Sequence, residues 1–332
     1  MEISVLTIVI ICKKASSPDD NPWNNYFQSQ PPDEKTQSCL NCNIPVGRSK
    51  YYLEECNFYN DNDGVIYFYD ISNTLFLHNR CSFSKCISER GCCIDYNGKD
   101  CSIVQRKFCC TKCQNSQDIQ FSSTELDNNN NNLNFLIDSS LFDVGNEIAG
   151  RDTVVASGGN NLVSLTNFSF CKSPDAAACL MMSPTINYST VVNNKATDGE
   201  GLIFDFIQKS LIDSCNIINN SITRSSSIIF QQNDFLTVQR SSFINNTCPE
   251  PSVLISNGQP VIIDSCYIDN SMTRIFLNRG EIKNSRQLFN NNLSHFSTDI
   301  CQAEFGNIET SIDLYNDAPL FFIALVNVYY SP

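Results

Sequence analysis

Asp213 and Asp264 stand at equivalent places in two copies of a short repeat, and Arg240 stands in the copy between them. Carboxylates flanking a cationic side chain could hold a divalent cation or do acid–base chemistry. Aspartates can hold Ca²⁺ or act as acid and base, and an arginine can take the proton. The same column, followed through the other copies, holds Glu54, Asn79, Asp138 and Asn284. Assorted polar residues in one column mark an outward strand position whose opposite charges pair along a stack. Asp213, Arg240 and Asp264 are therefore only weak catalytic candidates, and no catalytic residue is assigned. His78 and His295 lie in no catalytic motif, and the sequence has no nucleophile elbow, zinc-protease motif or phosphate loop.

The chain has 18 cysteines, crowded before residue 114, and such density points to an oxidising compartment. Disulfides within a long loop over residues 86–113 are the favoured reading. Metal binding is one alternative, because Cys39-x-x-Cys42 and Cys110-x-x-Cys113 have zinc-knuckle spacing. Plain buried thiols are the other. No metal or other cofactor is assigned. Cys215 and Cys266 fall two copies apart, roughly 10 Å, beyond the disulfide reach of about 7 Å. Cys56 and Cys81 are one copy apart, close enough to touch as a disulfide or as stacked thiols. Glycosylation sequons occur at Asn167, Asn187, Asn219, Asn245 and Asn292.

Lys and Arg number 22 against 35 Asp and Glu, a net charge of −13. An acidic surface repels phosphate, which excludes nucleic acid and disfavours anionic membranes. Residues 1–14 contain an apolar run, Ile3 to Cys12, of signal-peptide length and too short to span a bilayer. A polar leader or N-terminal cap is expected over residues 15–50.

What must position these residues is the repeat itself. It reads small, any, apolar, any, Asn: Cys215-x-Ile217-x-Asn219, Ser241-x-Phe243-x-Asn245 and Cys266-x-Ile268-x-Asn270. Upstream copies place Val191, Phe142, Phe83 and Phe58 at the apolar position, with weaker marks at Phe170 and Phe108; downstream copies place Leu288 and Leu314. Anchor spacings from Val191 onward are 26, 26, 25, 20 and 26 residues. Each copy carries further apolar bursts, such as Gly201 to Phe204, Ser227 to Phe230 and Ser252 to Ile255. A period of this length with three short strands and no helical pattern predicts a solenoid, an all-β parallel β-helix over residues 51–332. The count of anchors gives about ten to eleven turns. Phe58, Phe83, Phe142, Val191, Ile217, Phe243, Ile268, Leu288 and Leu314 are the expected inward stack. The Asn are expected at turns, in left-handed backbone or in ladders. Residues 127–132, almost all Asn, are expected to be a loop insertion.

The Asp-Ser-Cys-x-Ile/Phe-x-Asn-Asn pattern resembles the pectate-lyase-like superfamily of right-handed parallel β-helices. Within it, the chain is similar to Asn- and Cys-rich surface proteins of parasitic protists, akin to bacterial polymorphic outer-membrane proteins. The resemblance implies a secreted or cell-surface structural and recognition protein meeting glycans or proteins of a host or neighbouring cell. The alternative on the same fold is a polysaccharide-processing enzyme or a carbohydrate-binding module. The uncharged run Leu320 to Val326 ends the sequence in mid-turn, so further turns and a membrane anchor, or a covering chain, are expected beyond it.

Overall fold

Residues 34–283 wind into a parallel β-solenoid. The computed structural model describes residues 21–301, except 29–30, 42–43, 45–48, 63, 89–92, 182–183, 200–201, 206–208, 226, 232–234, 286–290 and 299–300. The apolar segment 1–14, the anchors Leu288 and Leu314, and the run Leu320 to Val326 lie outside the described residues. Three sheets form the walls. Sheet 1 has 11 strands, from Glu34–Gln37 to Gly280–Lys283; sheet 2 has 9, from Asn57–Tyr59 to Tyr267–Asp269; sheet 3 has 9, from Ile66–Ser72 to Arg274–Phe276. The solenoid makes about 8 turns, fewer than the ten to eleven counted from the anchors, two of which lie outside the described residues.

The repeat's small residue has a structural cause. Between sheets 1 and 2 the chain turns sharply through one residue in left-handed backbone, such as Ser214 (φ 55°), Arg240 (φ 48°) or Ser265 (φ 56°). The next residue is buried, and its short polar side chain donates back to the carbonyl two residues earlier. Ser139 Oγ donates to Ile137 O at 2.8 Å, Ser241 Oγ to Gln239 O at 2.8 Å and Cys215 Sγ to Asp213 O at 3.3 Å. Where that residue is Ser, its hydroxyl also accepts an amide from the preceding turn, as Ser241 Oγ does from Cys215 N at 3.0 Å. A larger side chain would forfeit these bonds at a corner whose backbone groups need them.

Two residues later the chain enters sheet 2 and turns a side chain inward. The column is Phe58, Phe83, Cys110, Leu141, Phe168, Val191, Ile217, Phe243 and Ile268, in unbroken parallel register. Ile268, on the last turn of sheet 2, packs on the core but stays half-buried. Phe142 corrects the expected frame. The small corner residue of its turn is Ser139, not Ser140, so Leu141 points inward and Phe142 meets Phe170 at 5.6 Å. Phe108 likewise fills the corner position, and Cys110 takes the anchor.

The Asn pairs divide their labour. The first Asn takes left-handed backbone at the exit from sheet 2: Asn193 (φ 56°), Asn219 (φ 54°) and Asn245 (φ 52°). The second is buried and builds the ladder. Asn194 Nδ2 donates to Asn220 Oδ1 at 3.0 Å, Asn220 to Asn246 at 2.9 Å and Asn246 to Asn270 at 3.0 Å. The ladder therefore runs through Asn194, Asn220, Asn246 and Asn270, one residue beyond the expected Asn219 and Asn245.

Two segments dress the outside. Helix α1 (Pro22–Phe27), N-capped by Asn21, lays Trp23 and Phe27 on the outer column Tyr52, Leu77 and Val104 of sheet 1. At the other end, residues 291–298 run back along the outer face of sheet 2, and Cys301 lies on the same face. Asn216 Nδ2 donates to Asn291 O at 2.8 Å, His295 Nε2 meets Thr190 Oγ1 at 2.8 Å, and Ser140 Oγ donates to Phe296 O. A disulfide between Cys109 and Cys301 fixes the end of this strap. Cys109, Ser140, Asn167, Thr190 and Asn216 form one outward column, and the strap follows it.

Candidate functional site

The polar column splits in two. Glu54, Asn79, Asp213 and Asp264 do share an outward column of sheet 1, with Gln239 between the two aspartates. Arg240, Asp138 and Asn284 belong to the adjacent column of left-handed corner residues. Arg240 clasps Asp213 with two bonds, Nε to Oδ1 at 2.8 Å and Nη2 to Oδ2. Burial alone would raise the Asp213 carboxyl, but hydrogen bonds from Arg240, Gln239 and Ser214 and the Arg240 charge together hold the group below its ordinary value. Asp264 accepts from Ser265 Oγ and Asn284 Nδ2, both at 3.0 Å. The arrangement thus ties up Arg240 against Asp213, while Asp264 sits two turns off, roughly 10 Å away. Glu55–Arg80 at 3.4 Å and Lys107–Asp138 at 3.9 Å pair in the same fashion along the corner column.

A different outer face carries better chemistry. In Ile66–Ser72 the strand alternates, burying Ile66 and Phe68 and turning Tyr67 and Tyr69 outward. These two rings are 59% and 62% exposed and nearly parallel, with centroids 6.3 Å apart at 11°. Parallel register sets Tyr67 beside Asp95, and the outward row continues through Asn97 and Glu125, where Asn97 Nδ2 donates to Glu125 Oε2 at 3.0 Å. Partial burial, with Glu125 and Asp118 nearby, pushes the Asp95 carboxyl up to about 6. An exposed aromatic pair edged by carboxylates and an amide matches a sugar: apolar ring face on tyrosine, hydroxyls on the polar rim. Sequence reading missed it because alternating Tyr and Asp in a strand look like any solvated face.

Among the described residues, the cysteine-rich stretch 86–113 is strand rather than one long loop. It holds the strands Ile87–Ser88, Ile94–Lys99, Ser102–Arg106 and Cys109–Thr111, with its described cysteines buried. Cys86, Cys93 and Cys113 bring their sulfurs within 4.8 Å of one another. Burial alone would raise the Cys113 thiol, but Cys110, Cys86 and Cys93 donate to its sulfur and hold it well below its usual range. Cys113 therefore comes together with Cys86 and Cys93, and Cys110 bonds to Cys113, while Cys42 lies outside the described residues. Cys56 and Cys81 stack as thiols one turn apart, and Cys215 and Cys266 are thiols too.

Both histidines are buried. Burial drives His78 down to about 3 among Phe76, Phe83 and Phe108 in the core, and His295, part of the strap, is buried against the outer face of sheet 2. Of the sequons, Asn219, Asn245 and Asn292 are exposed, Asn187 is half-buried, and Asn167 is fully buried in the strap's column. No family model, no curated protein and no solved structure matches this chain.

Proposed function

We propose that this chain is a non-catalytic recognition protein of the pectate-lyase-like β-helix kind, similar to protist surface adhesins. It works outside the cell or on its surface, and it binds glycans of a host or neighbouring cell. The observation that carries the reading is the exposed, parallel-ringed pair Tyr67–Tyr69 edged by Asp95, Asn97 and Glu125. Exposed sequons at Asn219 and Asn245, one turn apart, fit a glycosylated side face away from that pair. A glycan array probed with the full chain tests the proposal. Binding should appear and should weaken at least about tenfold in Tyr67→Ala or Tyr69→Ala, roughly the 1.4 kcal/mol of one lost stacking contact. Asp213→Asn should bind as the parent does. No binding to any glycan, or equal binding by the tyrosine variants, would overturn it.

A second reading rests on Asp95, whose raised carboxyl beside Glu125 has the character of a general acid. Turnover of a bound polysaccharide, lost in Asp95→Asn, would make this face an active site.

A further inference from the structure

We propose that Cys86, Cys93 and Cys113, with Cys110 as fourth ligand, form a buried site for one thiophilic divalent cation of the zinc class. Three independent segments converge there: the start of Ile87–Ser88, the start of Ile94–Lys99 and the end of Cys109–Thr111. Their sulfurs lie within 4.8 Å of one another, and about 3.8 Å separates thiolates around a tetrahedral ion with Zn–S bonds of about 2.3 Å. A shift of about an ångström brings these three into range, and Cys110, bonded to the Cys113 sulfur, turns in as the fourth.

The solenoid's register argues for a metal over a disulfide. Ile87 pairs with Gln114, so Cys86 and Cys113 stand side by side on neighbouring turns. Their Cβ atoms keep about the 4.8 Å strand spacing, wider than the roughly 3.8 Å of a disulfide. Three sulfurs around one point, with the Cys110 thiol bonded to one of them, suit a tetrahedral ion.

The position within the column is equally telling. The column of Cys86 and Cys113 continues through Val144 and Cys171 and then through Asn194, Asn220 and Asn246. On those later turns carboxamides satisfy each other in the ladder. At Cys86 and Cys113 the ladder gives way to sulfur, and there Cys93 and Cys110 close in from the other walls. Phe121 stands one turn from Cys93 in register, Phe83 one turn from Cys110, and the two rings meet at 5.3 Å. The site is dry, which strengthens the attraction between thiolate and cation. Binding releases one proton per ligating thiol to solvent, and four thiolates around a divalent ion leave a net charge of −2.

The full chain, purified without reductant or chelator, tests this by its metal content and by cobalt exchange. One zinc per chain should survive dialysis. Cobalt in its place should give sulfur-to-metal charge-transfer absorption and the strong visible bands of a tetrahedral thiolate site. Cys93→Ser and Cys113→Ser should lose the stoichiometric metal, and Cys215→Ser, at a buried thiol elsewhere, should keep it. The wild-type cobalt spectrum decides the matter even if the site variants fail to fold. Absence of both bound zinc and the cobalt spectrum, a disulfide among these four cysteines in non-reducing peptide maps, or unchanged metal in a folded Cys113→Ser chain would each overturn the proposal.

Discussion

Neighbouring asparagines in this chain are chemically alike and energetically different. Asn219 holds a left-handed corner and is exposed, so Asn219→Gly should be nearly neutral. Asn220 is buried. Its Oδ1 accepts from the amide and the carboxamide of Asn194, and its Nδ2 donates to Val191 O at 2.8 Å. Asn220→Ala would leave buried donors and an acceptor unpaired and should cost about 2–4 kcal/mol, read from urea midpoints. Phe243→Ala, in the middle of the anchor column, should cost about 3–5 kcal/mol by cavity formation. Asp152 supplies a pH signal. It is 2% exposed, accepts from Ala176 N with Oδ1, leaves Oδ2 without a partner, and burial pushes its carboxyl up to about 6. The folded chain then holds a proton that the unfolded chain has already lost above pH 3.8, so ionisation opposes folding. Stability should fall as pH rises from about 4 to about 6, by on the order of 2–3 kcal/mol, and level off above. Asp152→Asn should remove that slope; an unchanged pH profile of the urea midpoint would show that the carboxyl titrates normally.

At the level of elements, helix α1 has six residues, too few to be helical alone. Its order comes from Trp23 and Phe27 lying on Tyr52, Leu77 and Val104. The chain's one tryptophan is Trp23, so its fluorescence reports the docking of α1. Emission should shift to the red at lower denaturant than the loss of β-sheet circular dichroism. Coincident transitions would show that α1 belongs to the cooperative unit. The anchors were legible in sequence from Val191 to Ile268, where each turn repeats the same corner and the same exit. Phe142 and Phe108 misled because a neighbouring aromatic outranks the true inward residue, Leu141 or Cys110, when only hydrophobicity is read. The Asp213–Arg240 contact was legible as proximity, but its corner geometry, which turns a candidate base into a clamp, was not. The thiol cluster and the tyrosine face depend on register across turns 27 or 28 residues apart, Cys86 against Cys113 and Tyr67 against Asp95, and spacing within one segment carries no trace of that.

For the molecule as a whole, a solenoid is a one-dimensional object whose turns contact only their neighbours, so it frays from its ends. Here the strap crosses five turns of sheet 2 and ties residue 301 to residue 109. In mechanical terms, the Cys109–Cys301 bond makes most of the rod a closed ring, with a sequence separation of 192 between its ends. A force applied at the two termini would pass through the disulfide and leave the enclosed turns unloaded. Stretched with the bond intact, the chain should lengthen only by what lies outside the ring. Under reductant the ring opens and the enclosed residues join the loaded path, adding roughly 650–700 Å of contour length at about 3.5 Å per residue. Single-molecule stretching before and after reduction reads that difference directly. A molecule standing between two surfaces would in this way keep its turns wound while its ends carry the pull.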